Sequence, residues 1–498
     1  MSNASVLSSS AKFSLSGIGF VAGPLLFLVT LVFFESSVLS PRAGAVIAGG
    51  VWMITWWISD AVPIPVTALL PMVLFTVTGV FSMGEATAPY ASPIIFLFMG
   101  GFIIALAMEK RNLHRRIALS IIRLTGTSAN GIILGFMLAT AFLSMWISNT
   151  ATSVMMLPIA LSVINLLISA DEMMDNTPYR RFALGLMLGI AYAANIGGTT
   201  TLIGTPPNVV MVGYIREFTG VEMSFGRWLL IGLPSCSLLL FLTYFLITRV
   251  LFPHRLKQLA GSGELIESEL QKLGPVSKAE KLVTVVFSIT AFSWIFQQNV
   301  NEALRFVFAL EESVKVLNNT NIAMAGGILM FITPVKFSES EFVLDWKSTE
   351  KLPWGILLLF GGGLCLAKGM EKSGIIQWVG DAIAGNQQVE VWVIMLSLTA
   401  FTLFMTEITS NVALMVIFLP VVISIAETLQ VAPLYLAIPV TIASSCAFMM
   451  PISTPPNAVV FSSGYIKIME MARAGFLLNI LAILILVLFG ITLVQWVY

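Results

Sequence analysis

Two short polar stretches stand inside long apolar runs: Ser-Asn-Thr at 148–150 and Ser-Asn-Val at 410–412, 262 residues apart. A second pair accompanies them, Gly-Thr-Pro-Pro-Asn from Gly204 and Ser-Thr-Pro-Pro-Asn from Ser453, 249 residues apart. Hydroxyl and amide groups can give oxygen ligands to a cation or donate to an anion. Pro206, Pro207, Pro455 and Pro456 lack an N–H and push the residue before them out of the helical region, so each pair breaks a helix. A break exposes carbonyls at the end of one helix and N–H groups at the start of the next, again suited to a cation and an anion. Ser144 and Thr406 precede Ser148 and Ser410 by four residues, so on a helix each hydroxyl shares the face of its tip. Na+ favours hard oxygen ligands. Ser144, Ser148, Asn149 and the backbone near Gly197 can supply them in one half; Thr406, Thr409, Asn411 and the backbone at Ser453 can do so in the other. A carboxylate would be held by the hydroxyls and amides of both tips together.

Each motif alone is most simply a helix cap or a turn. The pairing changes that reading. At the 262 spacing, FMGGFIIALAMEK (98–110) matches FGGGLCLAKGMEK (360–372), and Pro158 matches Pro420. Three ordered matches in polar spots buried at mid-run favour a site, because burying polar groups without use is costly. Internal repeats with interrupted helices at corresponding places point to a secondary transporter with its site near the membrane midplane. Glu407 lies inside the second motif region, where an ionisable group is a functional candidate; its counterpart is Met145. Proton coupling and a structural pair with a basic group such as Lys368 are both open for it. The tryptophans, Trp57 and Trp146 among them, read as packing or interface anchors, the methionines as core filler. His114 and His254, in basic loops, read as solvated, and Met-Glu-Lys at 108–110 and 370–372 as helix ends.

The elements that must position these groups are membrane helices. Of 498 residues 57% are hydrophobic and 10% charged, with mean hydropathy +0.93; a soluble domain carries about 25% charged residues. Apolar runs near the ~20 residues of a spanning helix recur through the chain and leave no room for an ordinary soluble domain. Cys236, Cys365 and Cys446 suggest neither a disulfide framework nor a metal site. The first run follows a Ser-rich leader without an A-x-A cleavage pattern and reads as a retained helix. Spans are expected near 16–34, 44–59, 63–82, 92–109, 183–215, 228–248, 281–297, 319–335, 353–370, 432–466 and 472–497, with two segments, 131–170 and 391–425, entering and returning as hairpins. The basic cluster Lys110, Arg111, Arg115, Arg116 and Arg123 sets one side as cytoplasmic. Only Arg42, Arg216, Arg227, Arg305, Lys315, Lys368 and Lys372 of the 26 Lys and Arg then fall outside or near the outer ends. This predicts a multi-pass protein of the cell membrane with a cytoplasmic N-terminus and an extracytoplasmic C-terminus. The chain is one membrane transport domain, 1–498: a first inverted repeat at 44–250, a cytoplasmic linker at 253–280 and a second repeat at 281–497. The first hairpin opens from the cytoplasm and the second from outside.

The paired Ser-Asn-Thr and Thr-Pro-Pro-Asn motifs resemble those of the divalent anion/sodium symporter family, bacterial-type transporters of di- and tricarboxylates, over nearly the whole chain. The resemblance implies an all-α polytopic fold of about eleven transmembrane helices plus two re-entrant hairpins, with broken helices at the midplane. It also implies a homodimer working by an elevator motion, with Na+ coupled to uptake of succinate, malate, fumarate or citrate. Carried onto matching positions, substrate carboxylates would meet Ser148, Asn149, Thr150, Ser410, Asn411, Val412, Thr454 and Pro455, with Thr205 and Pro206 as the repeat-related pair. One Na+ would sit with Ser144, Ser148, Asn149 and Gly197, and another with Thr406, Thr409, Asn411 and Ser453. The family pattern often has Thr where this chain has Val412, which removes a hydroxyl from one end of the substrate. The alternatives are a Na+-independent dicarboxylate exchanger and an anion channel. No H-E-x-x-H or G-x-S-x-G is present to suggest an enzyme.

Overall fold

The computed structural model describes residues 15–36, 38–167, 178–259, 261–311, 314, 316–384 and 389–498. Helices α1 (Leu15–Phe33), α2 (Pro41–Ser59), α3 (Ile64–Thr67), α4 (Leu70–Val77) and α5 (Met83–Thr87) lead the chain. Next come α6 (Pro93–Lys110), α7 (Leu113–Leu124), α8 (Ala129–Ser144), α9 (Asn149–Leu167), α10 (Pro178–Thr199), α11 (Pro206–Thr219) and α12 (Phe225–Phe245). The second half holds α13 (Ser262–Lys272), α14 (Lys278–Ile295), α15 (Gln297–Phe308), α16 (Asn319–Ile332), α17 (Trp354–Lys372) and α18 (Ile375–Ala384). It closes with α19 (Val391–Met405), α20 (Asn411–Thr428), α21 (Pro433–Ser444), α22 (Pro455–Phe461), α23 (Ile468–Phe489) and α24 (Gln495–Val497). Among the described residues eight helices are long and apolar enough to cross a membrane, or nine if α14 and α15, bent by 92° at Phe296, count as one broken span. Met-Glu-Lys does end a helix both times, at Lys110 and at Lys372.

Two compact units form, and each draws on both halves of the sequence. One takes described residues of Met1–Tyr90 together with Leu358–Trp378. In it α1 packs on α2, with Gly19 and Gly23 letting α1 approach Ser59, Trp52 and Trp56 closely. The Tyr90 hydroxyl donates to Ala68 O at 2.6 Å.

The other unit takes Ala91–Leu357 and Val379–Tyr498 and holds both polar tips and both Thr-Pro-Pro-Asn breaks, while the repeat segment 360–372 belongs to the first unit. Here α6 lies against α16 through Gly100, where a Cβ would strike the Ala323 backbone. Small residues permit such approach, which is how apolar helices associate where no water drives them together. Helix α10 is buried along its length, and Gly197 sits directly on the Ala141 backbone of α8.

The basic cluster after α6 folds into the amphipathic α7, which buries Leu113, Ala118, Leu119 and Ile122. The expected linker at 253–280 is not bare loop: α13 packs on α7, and Arg115 meets Glu269 at 2.7 Å while Arg116 meets Glu280 at 2.6 Å. Lys272, with Arg115 adding, holds the Glu269 carboxyl below its usual range. His254 departs from its expected solvation; it is buried edge-on to Phe182, and burial, helped by Arg249, pushes its imidazole pKa down. His114 is partly buried, with Nδ1 3.1 Å from Met108 O.

Candidate functional site

Both predicted hairpins are helix–turn–helix units. In the first, α8 runs to Ser144, four residues turn, and α9 begins at Asn149; 168–170 of the expected 131–170 lie outside the described residues. In the second, α19 runs to Met405 and α20 begins at Asn411. The same hydrogen bonds close both turns. Ser144 Oγ donates to Asn149 Oδ1 at 2.8 Å, and Thr406 Oγ1 donates to Asn411 Oδ1 at 2.7 Å. Ser148 Oγ accepts from Ala151 N at 3.2 Å and Ser410 Oγ from Ala413 N at 3.5 Å, so each tip serine caps the helix that follows. A capping hydroxyl accepts through its oxygen and keeps its proton for another acceptor.

The two broken helices are also built alike. Residues 200–205 separate α10 from α11, and 445–454 separate α21 from α22. Thr205 and Thr454 are extended caps, with φ and ψ of −140° and 142° and of −141° and 148°, and a proline follows each in the first turn. The Asn of each Thr-Pro-Pro-Asn reaches back across its break: Asn208 Nδ2 donates to Thr201 O at 2.7 Å, and Asn457 Nδ2 to Met450 O at 3.0 Å. These asparagines satisfy carbonyls that would otherwise be orphaned in the apolar interior.

The halves meet crosswise, with α22 against α9 and α11 against α20. Asn195, in the last two turns of α10, donates to Ala447 O at 3.2 Å and to Thr454 Oγ1 at 3.1 Å. Thr205 Oγ1 and Ser445 Oγ are 3.4 Å apart, and the Tyr214 hydroxyl donates to Val416 O at 3.0 Å. Sequence reasoning missed Asn195, although a lone amide in an apolar helix is itself a signal.

Burial sorts the predicted residues into two layers. Ser148, Thr150 and Pro455 are exposed, and Asn149, Pro206, Ser410, Asn411 and Val412 are half-buried. Ser144 and Thr406 are fully buried behind them, with Thr205, Ser453 and Thr454 nearly so. The oxygens of the inner layer cluster twice. In the first half a Cβ on Gly198 would strike Asn149 Oδ1, and one on Gly204 would strike Gly198 O and Ser144 O, so these oxygens line one small cradle. In the second, Thr406 Oγ1 lies 2.6 Å from Ser444 O as well as 2.7 Å from Asn411 Oδ1, its one proton shared between the two acceptors. Such sets of neutral hard oxygens suit Na+. Three bonds involve the other expected ligands. The Gly197 carbonyl accepts from Thr200 N at 3.1 Å, and Gly198 is the glycine at Asn149. The Thr409 hydroxyl, in the turn, donates at 2.8 Å to Met405 O at the end of α19. The Ser453 hydroxyl donates to Glu407 O at 2.9 Å and Oε2 at 2.7 Å. A cavity of about 950 Å³ opens elsewhere in this unit, lined by Arg216, Glu222, Asn301 and Arg305, and includes none of the paired motif residues.

A polytopic helical protein with two capped hairpins and two proline-broken helices has the elements of a membrane transporter. The chain matches the sodium:sulfate symporter transmembrane region over residues 18–498, and it belongs to that family, the divalent anion/sodium symporters. It is 43% identical over 476 residues to a sodium-dependent dicarboxylate transporter, SdcS, of Staphylococcus saprophyticus, covering 95% of this chain and 90% of that one. SdcS of Staphylococcus aureus is 41% identical over 473 residues, with the same coverage. Among solved structures the fold is similar to the YdaH transporter of Alcanivorax borkumensis (TM-score 0.58, 12% identity, 96% of this chain and 98% of that one). It is likewise similar to MtrF of Neisseria gonorrhoeae (TM-score 0.55, 12% identity, 96% and 94%).

Proposed function

We propose that this chain is a Na+-coupled symporter that brings dicarboxylates such as succinate, malate or fumarate across the cell membrane. The observation that carries the reading is the twice-built tip, in which a buried hydroxyl is tied to the amide oxygen of an Asn whose helix faces the open layer. The names of the Staphylococcus relatives support both the ion and the substrate class. One Na+ takes Ser144, Asn149 and the carbonyl of Gly198, and a second takes Thr406, Asn411 and the carbonyl of Ser444. A carboxylate at either end of the substrate then meets the Ser148, Asn149 and Thr150 tip or the Ser410 and Asn411 tip. Pro206 and Pro455, after Thr205 and Thr454, line its sides. Each tip also offers the N–H groups and positive end of a helix to the anion. Na+ offsets charge that would be costly to desolvate at the midplane. The active form is a homodimer that carries its site across by an elevator motion, with the N-terminus cytoplasmic and the C-terminus extracytoplasmic. Proteoliposome uptake of labelled succinate, with Na+ against K+ outside and with citrate and sulfate as competitors, tests the reading. Na+-driven uptake blocked by dicarboxylates is expected, and uptake indifferent to the cation overturns it.

A further inference from the structure

Glu407 is the ionisable side chain that this mechanism leaves unused. It follows Thr406 in the second turn and is 4% exposed. Its Oε1 accepts from the N–H of Phe448 at 2.8 Å and of Met449 at 3.0 Å, and from Asn479 Nδ2 at 2.8 Å. Its Oε2 accepts from Met449 N at 3.1 Å, Met450 N at 3.2 Å and Ser453 Oγ at 2.7 Å. Three consecutive backbone amides closing on one carboxylate make an anion nest. Every donor to this carboxylate among the described residues is a neutral N–H or O–H group. The cage fits an acceptor-only, ionised carboxylate.

The segment so clamped is the break between α21 and α22, and the end of α21 supplies the Ser444 carbonyl to Thr406. The first half has no such clamp. Met145 stands at the place of Glu407; its N–H donates to Ala141 O at 3.2 Å within its own turn, and its carbonyl accepts from Thr201 Oγ1 at 2.6 Å. We propose that Glu407 is a positioning residue for the second cation subsite: it fixes the 446–453 segment, keeps Ser444 O in register with Thr406 and Asn411, and lends its negative charge to that subsite. Asn479, on α23, completes the clamp from outside both cation sets.

The inference rests on the sodium reading above, and its test separates the two. Purified protein is melted in NaCl series balanced with choline chloride, without substrate, for the unaltered chain, Glu407→Gln, Glu407→Asp and Asn479→Ala. Glu407→Gln should raise the Na+ concentration for half-maximal stabilisation roughly tenfold or more, as loss of a hydrogen-bonded charge implies. Asn479→Ala should raise it about threefold, within the range of one ordinary hydrogen bond because it reaches the cation only through Glu407, and Glu407→Asp should fall between the unaltered chain and Glu407→Gln. A variant that melts lower in choline yet keeps the original Na+ midpoint shows a merely structural clamp and overturns the inference. Should Glu407→Gln fail to fold, Asn479→Ala decides, since it leaves the carboxylate and both cation hydroxyls in place. An unaltered chain whose melting ignores Na+ overturns the sodium reading and this inference with it; unshifted variants beside a responsive chain overturn the inference alone.

Discussion

The two halves of the site share a skeleton and differ in chemistry. Both have a hydroxyl tied to a tip Asn, a serine cap, an extended Thr before Pro-Pro and an Asn fastening the break. Their differences fall where a ligand's charge would be felt. The first half has Thr150 at its open tip and an uncharged Met145 in its turn; the second has Val412 and the caged Glu407. The first break is a tight cradle with glycine at 204, while the second carries the side chain of Ser453 at the matching place. The frame is repeated, and in the proposed reading these few differences would make one end better for the anion and the other better for the cation.

The largest effect should come from the shared frame. Asn149→Ala and Asn411→Ala should each nearly abolish uptake while the protein stays folded, because each amide serves both ion and anion. Losing one hydrogen bond to a charged partner costs about 1.5–3 kcal/mol, ~10- to 150-fold in affinity; normal transport by either purified variant removes that tip from the site. Gly204→Ala breaks the comparison on one side only. Its Cβ would press on Gly198 O and Ser144 O, and overpacking costs roughly 1–3 kcal/mol, so Na+-dependent stabilisation should weaken while Ser453→Ala leaves the first cradle intact. Ser144→Ala and Thr406→Ala should raise the Na+ concentration for half-maximal uptake more than they alter substrate affinity at saturating Na+, which a two-dimensional uptake series reads. The smallest effect belongs to the open layer. Val412→Thr should strengthen one carboxylate contact and reorder succinate, malate and citrate in competition, and Thr150→Val should do the reverse at the other end; an unchanged ranking would mean that position 412 does not face the substrate.

Much of this was legible because it depends on neighbours in sequence. The turns at Ser148 and Ser410 and the breaks at the proline pairs are local, and the repeat told which polar spots to trust. The Ser144–Asn149 and Thr406–Asn411 bonds span only five residues across each turn, although the four-residue helical spacing to Ser148 and Ser410 does not by itself give them. What was hidden depends on distant partners. The Glu407 cage draws on amides 41–43 residues away and on Asn479, 72 away, and no spacing rule reaches that far. The choice of Gly198 over Gly197 turns on which α-carbon faces Ala141, a matter of helix phase that one residue's shift reverses. His254 looked solvated because its neighbours are charged; Phe182, distant in sequence, covers it. The linker 253–280 was legible as a connection, but its helix α13 and the Arg115–Glu269 pair join it to α7, which lies far off in sequence.

The central claim is coupling of Na+ to a dicarboxylate through the paired tips. Its most direct test is labelled succinate movement in proteoliposomes of the unaltered protein, with Na+ replaced by K+ or choline on both sides and unlabelled succinate inside. The account predicts that counterflow falls to the protein-free background without Na+ and returns when Na+ is added. Robust Na+-free counterflow would contradict the coupling and show an exchanger built on the same anion site.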